Sequence, residues 1–161
     1  MSPRSPLPAR ILIPVANPGT AEELIRLGAA MLNPNAGELS ALGIVEVPEG
    51  MPLSEGATRA RHARRLLQKV LDYAPAGTAI HPIVRIGRHA AEGITEAAAE
   101  QEADLIIFGW GGKAPAGHDG RNGGPTVFSL TIDEVVRESP CDIAVVKQRG
   151  TREIKRVASK E

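Results

Sequence analysis

Five short apolar runs, each bounded by turn residues and separated by stretches of helical spacing, leave this chain few ways to fold. The runs are Arg10–Val15 (RILIPV), Glu38–Val47 (ELSALGIVEV), Ala79–Ile86 (AIHPIVRI), Ala103–Trp110 (ADLIIFGW) and Asp142–Lys147 (DIAVVK). Most are near-continuous in hydrophobicity, the mark of strands covered on both faces. A strand–helix alternation of this kind requires a parallel sheet, with right-handed crossovers placing helices on both sides. The expected fold is therefore α/β, a single doubly wound five-stranded parallel sheet over residues 10–147. Residues 1–9 read as a loose Pro-rich segment and residues 148–161 as a charged tail.

The intervening segments carry their own signals. Thr20 is placed to cap a first helix, with Glu22 and Glu23 in its first turn and Leu24, Leu27, Gly28 and Met31 on its inner face. A second helix runs from Ser54 to about Tyr73, with Ala63, Leu66, Leu67, Val70 and Leu71 inward. Its cluster of Arg59, Arg61, Arg64, Arg65 and Lys69 reads as a solvated face rather than an anion-binding patch. Helices are also expected over His89–Gln101 and over Val127–Glu138, the latter with Ile132, Val135 and Val136 inward. Pro82 cannot donate to a ladder, so the third strand belongs at an edge. The fourth, the most hydrophobic, belongs inside the sheet.

Composition excludes several function classes. Lys plus Arg and Asp plus Glu both number 19, so no net field draws the chain to nucleic acid or to an anionic membrane. Aromatics make up 2% of the residues, too few to build stacking platforms for bases. The core must then be made of Ala, Val, Ile and Leu. No apolar run is long enough to cross a bilayer, and the N-terminus has no signal-peptide core. The single cysteine, Cys141, staples nothing, which together with these features points to a reducing, cytoplasmic setting.

Ligands of open α/β sheets bind beyond the carboxyl ends of the strands, where the strand order reverses. That rule singles out the loops after Val15, after Val45 and after Trp110. The last is Gly-rich, with seven glycines within Gly109–Gly124, and it joins a buried strand to a helix. Backbone N–H groups in such a loop can meet a phosphate, assisted by Lys113, His118 and Arg121 and opposed by Asp119. The glycines alone fit a ligand-free surface loop equally well.

A catalytic constellation is not evident. His62, His81, His89 and His118 form no metal-ligand spacing with each other or with Cys141. Cys141 reads as a small core residue, and Asp104 and Asp142 as turn residues ahead of strands. Glu46 can face the ligand crevice, but a lone carboxylate does not make an acid–base pair. The chain is read as a non-enzyme.

Taken together, RILIPVANPGTAEELIRLG, ADLIIFGWGG and VFSLTIDEVVRESPCDIAVVK resemble the universal stress protein family over roughly Arg10 to Lys147. The helix, Ser-Pro-Cys turn and DIAVV strand at the end are the most specific part, and GWGG resembles members associated with or fused to membrane transporters. The resemblance implies strand order 3-2-1-4-5, a homodimer formed through Asp142–Lys147, and binding of ATP or AMP with no metal beyond nucleotide-associated Mg. It places Pro14, Ala16 and Val45 around base and ribose, and Gly109, Gly112, Ser129 and Leu130 near phosphates. Departures accompany it. The family's Asp after the first strand falls on Ala16, its Gly-Ser pair falls on Ser129-Leu130, and the 16 residues between Gly112 and Ser129 exceed the motif's connection. Two lost hydrogen bonds of roughly 1–3 kcal/mol each weaken a ligand substantially, with Asn17 and Thr126 as candidate replacements. Two functions follow as alternatives: a regulatory domain binding an adenine nucleotide through a degenerate motif, or an interaction module without nucleotide that regulates a partner such as a membrane transporter.

Overall fold

The computed structural model describes residues 7–111 and 128–148, and every structural statement below concerns these residues. Five strands form one parallel sheet in the order β3-β2-β1-β4-β5. They are β1 (Arg10–Pro14), β2 (Glu38–Glu46), β3 (Ala79–Gly87), β4 (Leu105–Trp110) and β5 (Asp142–Lys147). The helices are α1 (Pro18–Met31), α2 (Ala57–Val70), α3 (Ala90–Glu100) and α4 (Leu130–Glu138). Short 3-10 turns at Leu53–Gly56 and Leu71–Tyr73 flank α2, so the expected long second helix is divided into three pieces.

The sheet has two apolar faces because β1 and β4 are buried on both sides. Ile11, Ile13, Leu39 and Ile107 face Ala21, Leu24 and Ile25 of α1 and Val70 of α2. Leu12, Leu42, Ile106 and Phe108 face Ala91, Ile94 and Ala97 of α3 and Ile132 and Val135 of α4. Successive side chains along a strand point to opposite faces, which assigns each residue to its layer. The α1 layer lies close to the sheet because Gly28 has no side chain. A Cβ there would sit 2.9 Å from Ile13 Cδ1. Val136, expected inward, is instead 50% exposed. Only Ile132 and Val135 of α4 are buried, since a nine-residue helix turns a narrow stripe to the sheet.

Helix starts differ from the expectation in an instructive way. Asn17, not Thr20, caps α1, its Oδ1 accepting from the Gly19 amide at 2.9 Å, with Pro18 at the first helical position. Pro at that position is pre-organised for a helix and loses no hydrogen bond there. Glu22 therefore falls past the first turn, where it pairs with Arg26 at 2.8 Å. The end of the N-terminal segment is tied down as well: Asn33 N donates to Pro8 O, and Ala9 N to Asp104 Oδ2 at 2.9 Å. Asp104 also accepts from Arg10 N at 3.0 Å, so it fastens the start of β1 to the turn before β4.

β3 stands at one edge, with Pro82 in it. Arg85 of this strand pairs with Glu96 at 3.1 Å and with Glu100 of α3, and the Glu100 hydrogen bond holds its guanidinium pKa above the ordinary value. Charge and proline on an edge strand discourage pairing with another chain. β5 forms the other edge. The basic residues of α2 that the sequence placed in solvent, Arg59, Arg61, Arg64, Arg65 and Lys69, are all exposed.

Candidate functional site

A cavity of about 580 Å³ opens at the carboxyl edge of the sheet, where the chain leaves β1 for one face and β4 for the other. This is the switch point at which doubly wound sheets take ligands. Its floor is apolar: Pro14, Leu42, Ile44, Phe108, Leu24 and Ile94. Polar groups stand around it, namely Asn17, Thr20, Glu46, Ser129, Thr131 and Gln148. A largely apolar concavity with a few placed polar groups is the usual form of a small-molecule site.

Each polar group is held by its element. Ser129 caps α4, its Oγ accepting from Ile132 N at 3.0 Å, which leaves the hydroxyl proton available to a ligand. Asp133 reaches back to Phe128 N at 3.0 Å, fixing the approach to the helix. Trp110 stiffens the end of β4: its Nε1 donates to Phe128 O at 3.0 Å, and the two rings meet edge to face at 5.0 Å. Glu46 ends β2, and its Oε1 accepts from Ala90 N at the start of α3 at 2.7 Å.

Of the residues expected at the site, Pro14, Ala16, Gly109 and Ser129 line the cavity together. Val45 and Leu130 do not. Along β2 the alternation turns Leu42, Ile44 and Glu46 toward the cavity. Val45 is thereby sent to the opposite face, where it is buried near Gly56. At the start of α4 one residue is about 100° of helix rotation. Thr131 therefore faces the cavity, while Leu130, 39% exposed, lines an adjacent hollow of about 330 Å³ with His89 and Glu134. The hydroxyl one place late in the sequence is thus the one that reaches the site. Gly112, together with Lys113, His118, Asp119, Arg121 and Thr126, lies outside the described residues.

Gln148, the first residue of the expected charged tail, lines the cavity. Its amide Nε2 donates to Thr20 O at 2.8 Å, and its backbone N donates to Trp110 O. The side chain crosses directly over Gly109, where an added Cβ would overlap Gln148 Oε1. Nothing local in the sequence marks this contact, because it depends on β5 lying beside β4. Gly109→Ala is expected to swing the Gln148 side chain off Thr20, costing on the order of 1 kcal/mol, the net worth of one hydrogen bond. Denaturant unfolding checks this: a cost well below that for Gly109→Ala, or an equal further loss in the Gly109→Ala, Gln148→Ala double variant, would show that the two residues are uncoupled.

Cys141 is half-buried against the α3–α4 layer, as a small core-edge residue. Burial pushes its thiol pKa up, against a lowering hydrogen bond from Ser139, which disfavours the reactive thiolate. Among the described residues no group of three His, Cys, Asp or Glu side chains could hold a metal ion. Nor, among them, is any helix long and apolar enough to cross a membrane.

Fold and cavity define a class: a doubly wound α/β domain with an open cavity at its switch point. The sequence profile of the universal stress protein family matches residues 9–147, and the chain belongs to that family. Among curated proteins, the Na(+)/H(+) antiporter NhaS5 of Synechocystis is 30% identical over 138 residues, covering 85% of this chain. The match spans 19% of the antiporter's own length. Solved structures share the fold at low identity. The universal stress protein UspA of Lactobacillus plantarum superposes with a TM-score of 0.58 at 19% identity, covering 89% of this chain and 100% of that one. A universal stress protein in complex with cAMP gives 0.58 at 15% identity, covering 89% and 99%. The Archaeoglobus fulgidus protein in complex with dAMP gives 0.50 at 16% identity, covering 86% and 97%.

Proposed function

We propose that this domain is a non-catalytic regulatory module that binds an adenine nucleotide, AMP or ATP, in the switch-point cavity. The observation that carries the reading is the cavity itself: an apolar floor of nucleoside size under a ring of hydroxyl, amide and carboxylate groups. Relatives in complex with cAMP and dAMP support the adenine assignment. Pro14 and Ala16 would border the base and ribose, while Gly109, Ser129 and Thr131 would border the phosphates. Magnesium, if bound, would arrive with a triphosphate. The edge strand β5 is proposed to pair with a second copy, giving a homodimer in the cytoplasm. Titration calorimetry with AMP, ATP and cAMP tests the nucleotide reading. Binding at micromolar to sub-millimolar levels is expected, and no heat with any of them at millimolar ligand would overturn it.

A second reading is favoured by a specific observation. The described lining holds no Lys or Arg to meet a phosphate, and Gln148 already covers Gly109. A domain so arranged would act on a partner without nucleotide, and the likeness to part of an antiporter supports a membrane transporter as that partner. Ligand-independent recovery of a transporter with the tagged domain would favour this reading over the first.

A further inference from the structure

Among the described residues that line the cavity, Glu46 is the one charged side chain. It does not hang free at the rim. Its Oε1 accepts the Ala90 amide at 2.7 Å, and its backbone carbonyl accepts from the Arg59 guanidinium. A carboxylate at the first turn of a helix is favourably placed, so side chain and backbone are both fixed before any ligand arrives. The N-cap residue of α3, His89, makes no side-chain capping bond, which leaves that task to Glu46 from a different strand.

This has two chemical consequences. A carboxylate offers about four acceptor positions, so one bond to Ala90 leaves capacity for donors on a ligand. The same charge repels an anion, and the α3 amide it occupies is withdrawn from phosphate binding. Within the cavity, then, the region around Glu46 suits a hydroxyl or amino group and disfavours a phosphate. Gly109 and Ser129, which also line the cavity, carry no side-chain charge.

Resting on the nucleotide reading above, we propose that Glu46 is the specificity-determining residue of this cavity. It accepts a hydrogen bond from a ribose hydroxyl or from the base amine and turns the phosphate away from its own end of the cavity, toward Gly109 and Ser129. No residue assigned to the site from the sequence supplies such a charged acceptor, since Ala16 ends in a methyl group.

Glu46→Gln tests it. The amide keeps the shape and an acceptor for Ala90, so the fold should persist, checked by an unchanged unfolding midpoint. AMP affinity measured by calorimetry should fall about tenfold or more, as for loss of a bond to a charged acceptor. The same pair of proteins is titrated with 2′-deoxy-AMP, 3′-deoxy-AMP and inosine monophosphate. The analogue for which wild type and variant bind alike lacks the group that Glu46 reads, and finding one supports the proposal. A tenfold difference that survives in all three would overturn direct recognition, as would equal or tighter binding of AMP by the variant. If the wild-type chain binds none of these ligands, the nucleotide reading itself fails and takes this inference with it. Wild-type binding with an indifferent variant defeats the Glu46 assignment alone.

Discussion

Ala16→Trp is expected to weaken adenine-nucleotide binding by about 100-fold or more while leaving the unfolding midpoint within about 2 °C of wild type. Ala16 is exposed and lines the cavity at the end of β1, so its side chain supports nothing in the core. An indole there projects into the volume a nucleoside would occupy. Its cost to folding is small because Ala16 is exposed and its side chain takes no part in the Asn17 cap, and exposed substitutions usually stay within about 0.5 kcal/mol. A loss of 100-fold corresponds to about 2.7 kcal/mol of binding free energy, well within what steric exclusion removes. Calorimetry and thermal unfolding on the same sample check both halves. Unimpaired binding with an intact fold would place the ligand elsewhere.

The largest effect on stability is expected at Ile106. Its side chain is fully buried in β4, between Leu12 of β1 and Ile143 of β5 in the ladder. It belongs to the cluster that packs the sheet against α3 and α4. Ile106→Ala removes transfer free energy and leaves a cavity that parallel strands close poorly, for a cost of about 2–5 kcal/mol. At about 2–4 °C per kcal/mol for a chain of this size, the midpoint should fall on the order of 10 °C. A shift under about 2 °C would mean that β4 is not the interior strand described. Because Ile106 does not line the cavity, nucleotide affinity of the folded variant should stay near wild type.

The strand–helix alternation was legible because apolar runs and Pro or Gly breaks are local signals. Pro82 alone placed β3 at an edge, since a missing donor has a direct structural meaning. The resemblance supplied the strand order, which local signals do not carry. What the sequence hid depends on rotation and on neighbours. Val45 and Ile44 differ by one residue yet face opposite sides of the sheet, and only the assembled strand order decides which side holds the cavity. Leu130 and Thr131 differ by one helical step, and of the two only Thr131 reaches the cavity. The Asn17-Pro18 start of α1 was readable in principle, but Thr20 followed by two glutamates imitates a cap just as well. Glu46 was legible as facing the crevice, whereas Gln148 reaches the cavity from the end of β5, a placement that exists only once the sheet is assembled.

The most direct test of the account is a crystal structure of the protein grown with millimolar AMP. The account predicts the nucleoside seated on Leu42, Ile44 and Phe108, with the phosphate toward Ser129 and a hydroxyl or amino group within hydrogen-bond distance of Glu46. An occupied site anywhere else, or a cavity left empty at that concentration, would contradict it.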